Sequence, residues 1–298
     1  MTEPRLEFQD LRFAYGDLHF DFGNASIAPG EIVVIVGPSG AGKSTLMRLL
    51  RGELDPGNGK VTIDGTPVET RKKRLVLDET KAGWVPQLDD LQSMLSLEDN
   101  IGHHILRMDP EDKHARVEAL KTAMHLQAYS GQKVRTLSGG QRQRVSIAKA
   151  MAGSPPVLLM DESLAQLDLR TKSLILMDFK AMIKREGCAA LLVLHDPADA
   201  LFVADTLWVI QGGKLVQKGK PNEIIAEPLH HEIAGLFDYI NVVPKEVEIG
   251  GNWRVNGEQK WCYAHEMEEL DTAPIETIPL PKGEMRIYDF RGHRLVAK

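Results

Sequence analysis

The chain opens with apolar and polar residues taking turns at a period of two, in "LEFQDLRFAY" and again in "LHFDFGNASIA". That alternation predicts two strands with one buried face each. Pro29-Gly30 breaks it, and "EIVVIVG" follows as an unbroken apolar run, which predicts a strand buried on both faces as in a parallel sheet. The period lengthens to three or four in "KSTLMRLLRG", a helix stopped at Gly52. "DPGNGKVTIDG" predicts a turn, a strand and a turn, and "GWVPQ" a further short strand. From Leu88 to about Arg135 the pattern is helical, and "PEDKHARVEALKTAMHLQAY" begins on a proline suited to a first helical turn.

Strands and helices then alternate. A helix runs from Gln141 to near Gly153, "PPVLLMD" is a buried strand, and "LRTKSLILMDFKAMIKREG" is a helix closed by Gly187. "AALLVLH" is a strand, "PADALFVAD" a helix, and "TLWVIQGGKLVQKG" a hairpin turning at Gly212-Gly213. This rhythm implies an α/β fold, a mostly parallel sheet covered on both faces, with the alternating strands as an antiparallel edge and residues 88–136 as a helical insertion. Beyond residue 220 the pattern changes to a short helix through "HHEIAGLFDYI" and short strands ending in "MRIYDFRGHRLVAK", a small, mostly β appendage.

Charge supports that boundary. The net charge is −6, and residues 221–298 hold 14 acidic against 8 basic residues, which accounts for the whole imbalance. An acidic balance argues against nucleic acid as the main partner. With 43% hydrophobic and 26% charged residues the composition is that of a soluble globular protein. No apolar run approaches the roughly 20 residues that span a bilayer, and "MTEPRLEF" carries no signal-peptide pattern. Cys188 and Cys262 form neither a disulfide framework nor a zinc pattern, so a reduced, cytosolic protein is expected.

The candidate chemistry begins at "GPSGAGKST", Gly37, Pro38, Ser39, Gly40, Ala41, Gly42, Lys43, Ser44 and Thr45. It has P-loop spacing, follows an apolar strand and opens a helix. Glycines let backbone N–H groups close on phosphate oxygens at a positively polarised helix end. Lys43 can reach the β- and γ-phosphates of a nucleotide, and the Ser44 hydroxyl can coordinate Mg²⁺. In "VLLMDE" a buried strand delivers Asp161 to its C-terminal edge, where it can hold Mg²⁺, with Glu162 one step on to orient or deprotonate an attacking water. These features predict a P-loop NTPase.

A second cradle lies at "LSGGQ", where Ser138, Gly139 and Gly140 precede Gln141 at another helix start. One ATP has a single γ-phosphate, already wrapped on one side by the P-loop. The economical arrangement is that Ser138 and Gly139 cover the ATP of another chain, so that two copies, head to tail, sandwich two nucleotides.

Together "GPSGAGKST", "LSGGQ" and "VLLMDE", in that order, resemble the ATP-binding-cassette ATPases, the nucleotide-binding subunits of ABC transporters, over residues 6–220. The resemblance implies that Tyr15 in "LRFAYGD" stacks on adenine and that Gln87 in "WVPQ" senses Mg²⁺ and the attacking water. It also implies that Asp168 in "LAQLD" communicates across the dimer, while capping the helix that follows, and that His195 in "LVLHDPADA" contacts the γ-phosphate. It further implies a separate integral-membrane permease, a place on the cytoplasmic face of the membrane, and ATP hydrolysis coupled to transport. Two departures stand out: Ser163 takes the place of the usual proline after Glu162, and "LDDLQSMLSLEDNI" is more acidic than in many relatives. The appendage resembles the C-terminal extensions of bacterial importers, with an OB-like, regulatory module and a solute-binding protein as a further partner. An exporter subunit, or a soluble ABC ATPase working on ribosomes or DNA, are the alternatives. A P-loop kinase would leave "LSGGQ" unexplained.

Overall fold

The computed structural model describes residues 3–72, 81–229, 233 and 235–237, together with the backbone of two short strands near the C-terminus. The chain divides into two units, Met1–Lys220 and Pro221–Lys298.

The first unit is built on one mixed sheet. Its strands are β1 (Leu6–Tyr15), β2 (Leu18–Ile27), β3 (Ile32–Val36), β4 (Asn58–Ile63), β5 (Thr66–Pro67), β6 (Ala82–Val85), β7 (Val157–Asp161), β8 (Ala189–Val193), β9 (Thr206–Gln211) and β10 (Lys214–Gly219). Their spatial order is β5-β4-β1-β2-β10-β9-β3-β8-β7-β6. The run β9-β3-β8-β7-β6 is parallel, whereas β1, β2, β4 and β5 pair antiparallel and β10 turns back on β9. The sheet is therefore less parallel than strand–helix alternation alone predicts, because the two opening strands and the closing hairpin join one another. Every residue of β3 and β8 is buried, as their unbroken apolar runs require.

Helices α1 (Lys43–Leu50), α2 (Leu97–Ile101), α3 (Pro110–Ala123), α4 (Gly139–Met151), α5 (Leu169–Glu186) and α6 (Pro197–Val203) complete the unit. Helix α1 buries Leu46, Met47, Leu49 and Leu50, each worth about 1.5–3 kcal/mol when fully withdrawn from water. Phe8 meets the Trp208 ring edge-on at 5.6 Å, joining the antiparallel and parallel parts of the core. The α5 stop is the expected one, with Gly187 left-handed at φ 63°.

Two segments depart from the periodicity. Residues 88–96 are not helical; α2 begins only at Leu97, behind a Ser96 cap. Asn100, buried, holds this stretch open: its side chain accepts from the Gln92 N–H and donates to the carbonyls of Gln92 and Ser96. Helix α3 starts at Pro110 behind an Asp109 cap but ends at Ala123. There His125 takes a left-handed φ of 53° and the chain turns back, with Leu126 N–H on the Lys121 carbonyl.

The second unit contains the helix Pro221–Ala226 and an antiparallel pair, Ile287–Tyr288 with Arg294–Leu295. The helix expected through "HHEIAGLFDYI" and, that strand pair apart, the OB-like module fall largely outside the described residues. Among the described residues no helix is long and apolar enough to cross a membrane.

Candidate functional site

Parallel register assembles the site. Ile35 of β3 and Asp161 of β7 both pair with Val193 of β8, and Val85 of β6 pairs with Met160. Gly37, Gln87, Glu162 and His195 each follow one of these strand ends by one or two residues. They consequently gather along one carboxyl edge, the place where open α/β sheets hold ligands.

The loop Gly37–Gly42 links β3 to α1. Gly37 has φ 153°, and a Cβ there would lie 2.0 Å from the Ile210 carbonyl oxygen, so no side chain fits. Gly42 is left-handed at φ 103° and rests on Phe20, whose ring a Cβ would meet at 2.7 Å. Ala41 is buried, and its carbonyl accepts from Gly213 N–H, tying the loop to the β9–β10 turn. Pro38, Ser39 and Gly40 are exposed and face solvent. Lys43 donates to the carbonyls of Gly37 at 2.9 Å and Pro38 at 3.0 Å, so its ammonium lies across the loop. Thr45 stands in the first turn of α1 beside Ser44.

Ser44 Oγ donates to Asp161 Oδ1 at 3.4 Å. Burial pushes the Asp161 carboxyl above the ordinary carboxylate range and neighbouring Glu162 adds to this, against the Ser44 hydroxyl and the Lys43 charge, which pull it down. A half-buried carboxylate, a hydroxyl and the Gln87 amide oxygen are all hard oxygen donors, the set that suits Mg²⁺. Gln87 donates to Glu162 Oε2 at 3.5 Å, joining the ends of β6 and β7. Glu162 is itself strained: its φ of 43° is rare for a residue with a side chain, and its N–H is pinned to the Val193 carbonyl. Beside it Leu164, Ala165, Lys172, Leu194, His195, Asp196 and Asp199 line a cleft of about 220 Å³. His195 is exposed at its mouth, and Tyr15 is 75% exposed at the tip of the β1–β2 hairpin.

The second cradle is a capping box. Ser138 Oγ accepts from Gln141 N–H at 3.3 Å, and Ser138 N–H donates to Gln141 Oε1 at 2.8 Å. Ser138 and Gly139 are exposed at this helix start and Gly140 half-buried, while Gln141 is committed to the cap. Among the described residues no hydrogen bond or ion pair joins residues 138–141 to residues 37–45 of the same chain. Asp168 caps α5 by accepting from Thr171 N–H at 3.0 Å, and the Thr171 hydroxyl, followed by that N–H, holds its carboxyl below the usual range.

Several contacts were not foreseen from the sequence. Asp89 pairs with Arg142 at 3.3 Å and Asp90 with Lys149 at 3.0 Å. The acidity after Gln87 is thus partly used to bind the segment to α4. Gln143, buried on the second turn of α4, donates to Ser163 Oγ at 2.9 Å. The only advance signal was the excess of acid in "LDDLQ" opposite the basic helix "QRQRVSIAKA".

The sequence profile of the ABC transporter family matches residues 22–165. A sulfate/thiosulfate import ATP-binding protein of Gloeobacter violaceus is 37% identical over 229 residues, 75% of this chain and 64% of that protein. The chain therefore spans less than two thirds of that relative's length. A molybdate/tungstate import ATP-binding protein of Thermococcus kodakarensis is 31% identical over 245 residues, covering 82% of this chain and 73% of the other. Among solved structures, the dimeric post-hydrolysis state of the ATP-binding cassette MJ0796, bound to ADP and Pi, superposes with a TM-score of 0.60. It is 26% identical and covers 72% of this chain and 98% of that one.

Proposed function

Because the chain belongs to the ABC transporter family of ATP-binding subunits, we propose that it hydrolyses ATP to drive an importer through a separate membrane permease. The observation that carries this reading is the convergence of Gly37–Thr45, Gln87, Asp161, Glu162 and His195 on one sheet edge. The N–H groups of the Gly37–Thr45 loop hold the phosphates and Tyr15 stacks on the base. Ser44, Asp161 and Gln87 would hold Mg²⁺, which would supply neutralising charge to the phosphates. Glu162 orients a water and takes its proton as the water oxygen bonds to the γ-phosphorus. The bond to the β–γ bridging oxygen breaks, leaving ADP and phosphate. Lys43 and His195 stabilise the charge that develops on the γ-oxygens.

Ser138 and Gly139 of a second copy close over the γ-phosphate, with Asp168 beside the shared face. Since these contacts exist only in the closed pair, ATP favours closure by its differential affinity for that state. Exposed Leu88, Met94 and Leu106 in the helical insertion support a permease docking there, on the cytoplasmic face of the membrane. A solute-binding protein completes the importer, and residues 221–298 form a small C-terminal regulatory domain that follows the ATPase domain of residues 1–220 in the chain.

The test is complementation. Lys43→Ala and Ser138→Arg chains, each inactive alone, regain turnover when mixed, because one of the two mixed sites then has an intact P-loop and an intact lid. Mixed chains as inactive as either parent refute the shared site.

A further inference from the structure

The turn that opens α4 packs directly on the segment that leads from Glu162 into α5. A Cβ on Gly139 would touch Leu167 at 3.5 Å, and one on Gly140 would press on Thr171 at 2.6 Å. The polar tie between them is the Gln143–Ser163 hydrogen bond of 2.9 Å. Gln143 is buried at 8% exposed and Ser163 half-buried, so the bond is partly withdrawn from competing water. Ser163 directly follows Glu162, whose backbone is held at a strained φ of 43°. A proline at position 163 would offer no hydroxyl for the bond, so this tie is a property of the serine.

We infer that Gln143 and Ser163 are positioning residues that couple the second cradle of a chain to that chain's own Glu162. This rests on the shared-site reading, under which Ser138 and Gly139 hold the γ-phosphate of the other copy's ATP while Glu162 serves the ATP of its own chain. The hydrogen bond then runs between two nucleotide sites. Engagement of one nucleotide by the first turn of α4 shifts the helix, Gln143 carries Ser163 with it, and the backbone at Glu162 follows. Occupancy of one site thereby sets the placement of the carboxylate at the other.

The experiment measures ATPase rate against ATP concentration for the full chain with Mg²⁺, in wild type and in Ser163→Ala, Gln143→Ala, the double variant and Ser163→Thr. The expected result is a Hill coefficient falling from about 2 to about 1 in both alanine variants. Their kcat drops about fivefold, the scale of one neutral hydrogen bond, with KM little changed. The double variant is no worse than either single, and Ser163→Thr, which keeps the hydroxyl, restores cooperativity. A merely structural role would lower the melting temperature without changing the Hill coefficient. A cooperative wild type whose Ser163→Ala variant keeps the same Hill coefficient overturns this inference alone. A wild type that hydrolyses ATP non-cooperatively and stays monomeric overturns the shared site and this inference with it.

Discussion

Replacing Ser138 by alanine separates the two jobs that its hydroxyl is asked to do. In the single chain the oxygen accepts from Gln141 N–H, and losing that cap costs the fold about 1 kcal/mol. Spread over a unit of this size, the melting temperature should fall by about 2–4 °C. On the shared-site proposal, the same hydroxyl donates its proton to a γ-phosphate oxygen in the closed pair. A hydrogen bond to a charged group contributes about 1.5–3 kcal/mol, and two symmetric sites double that to roughly 3–6 kcal/mol. The dimer should therefore weaken by roughly two to four decades in dissociation constant, far more than the cap loss explains. Analytical ultracentrifugation with saturating ATP, in a Glu162→Gln background that prevents hydrolysis, measures the dimer. A fluorescent ATP analogue titrated into dilute protein measures the monomer, whose affinity should not change. If monomer affinity fell in step with dimerisation, or if the dimer were unaffected, the hydroxyl would serve its own chain's nucleotide or none.

Three further outcomes follow from the site. Asp161→Asn should abolish hydrolysis yet raise the melting temperature near neutral pH. The folded protein holds the Asp161 proton more tightly than the unfolded chain, so this group favours the fold at acid pH and loses that contribution as pH rises through its raised folded-state pKa. The gain should accordingly vanish on acidification in melts without Mg²⁺, and a pH-independent gain would contradict the assignment. Tyr15→Ala should raise KM for ATP about five- to tenfold with kcat unchanged, as the loss of one stacking contact of about 1 kcal/mol or slightly more requires; a fall in kcat alone would count against stacking. Gly37→Ala forces a Cβ against the Ile210 carbonyl and should cost about 1–3 kcal/mol of stability by overpacking, along with measurable ATP binding. Calorimetry showing wild-type affinity would refute that geometry.

The parts of the fold that the sequence revealed are those written locally. The runs "IVVIV", "VLLM" and "AALLV" have no polar face to offer, so they could only be interior strands, and Gly37 and Gly42 mark a turn where a Cβ has no room. What was hidden depends on partners far apart in the chain. Nothing near Leu88 says that Asn100 will hold residues 88–96 out of a helix, or that Asp89 and Asp90 will meet Arg142 and Lys149 more than fifty residues on. The same holds for β10 lying beside β2, and for Ser163, which departs from the familiar proline. The structure gives it a buried donor.

Phe20 ties the hairpin to the phosphate loop. Its ring lies under Gly42 and close to Gly213, and it pairs across the hairpin with Phe13, two residues of strand from the Tyr15–Leu18 pair. The aromatic tip is therefore indexed to the phosphate loop by about 7 Å of pleated backbone. The hairpin acts as a gauge: the length of whatever is gripped between ring and loop is set by strand geometry, and a two-residue insertion in β1 and β2 would reset it without altering any residue that touches the ligand.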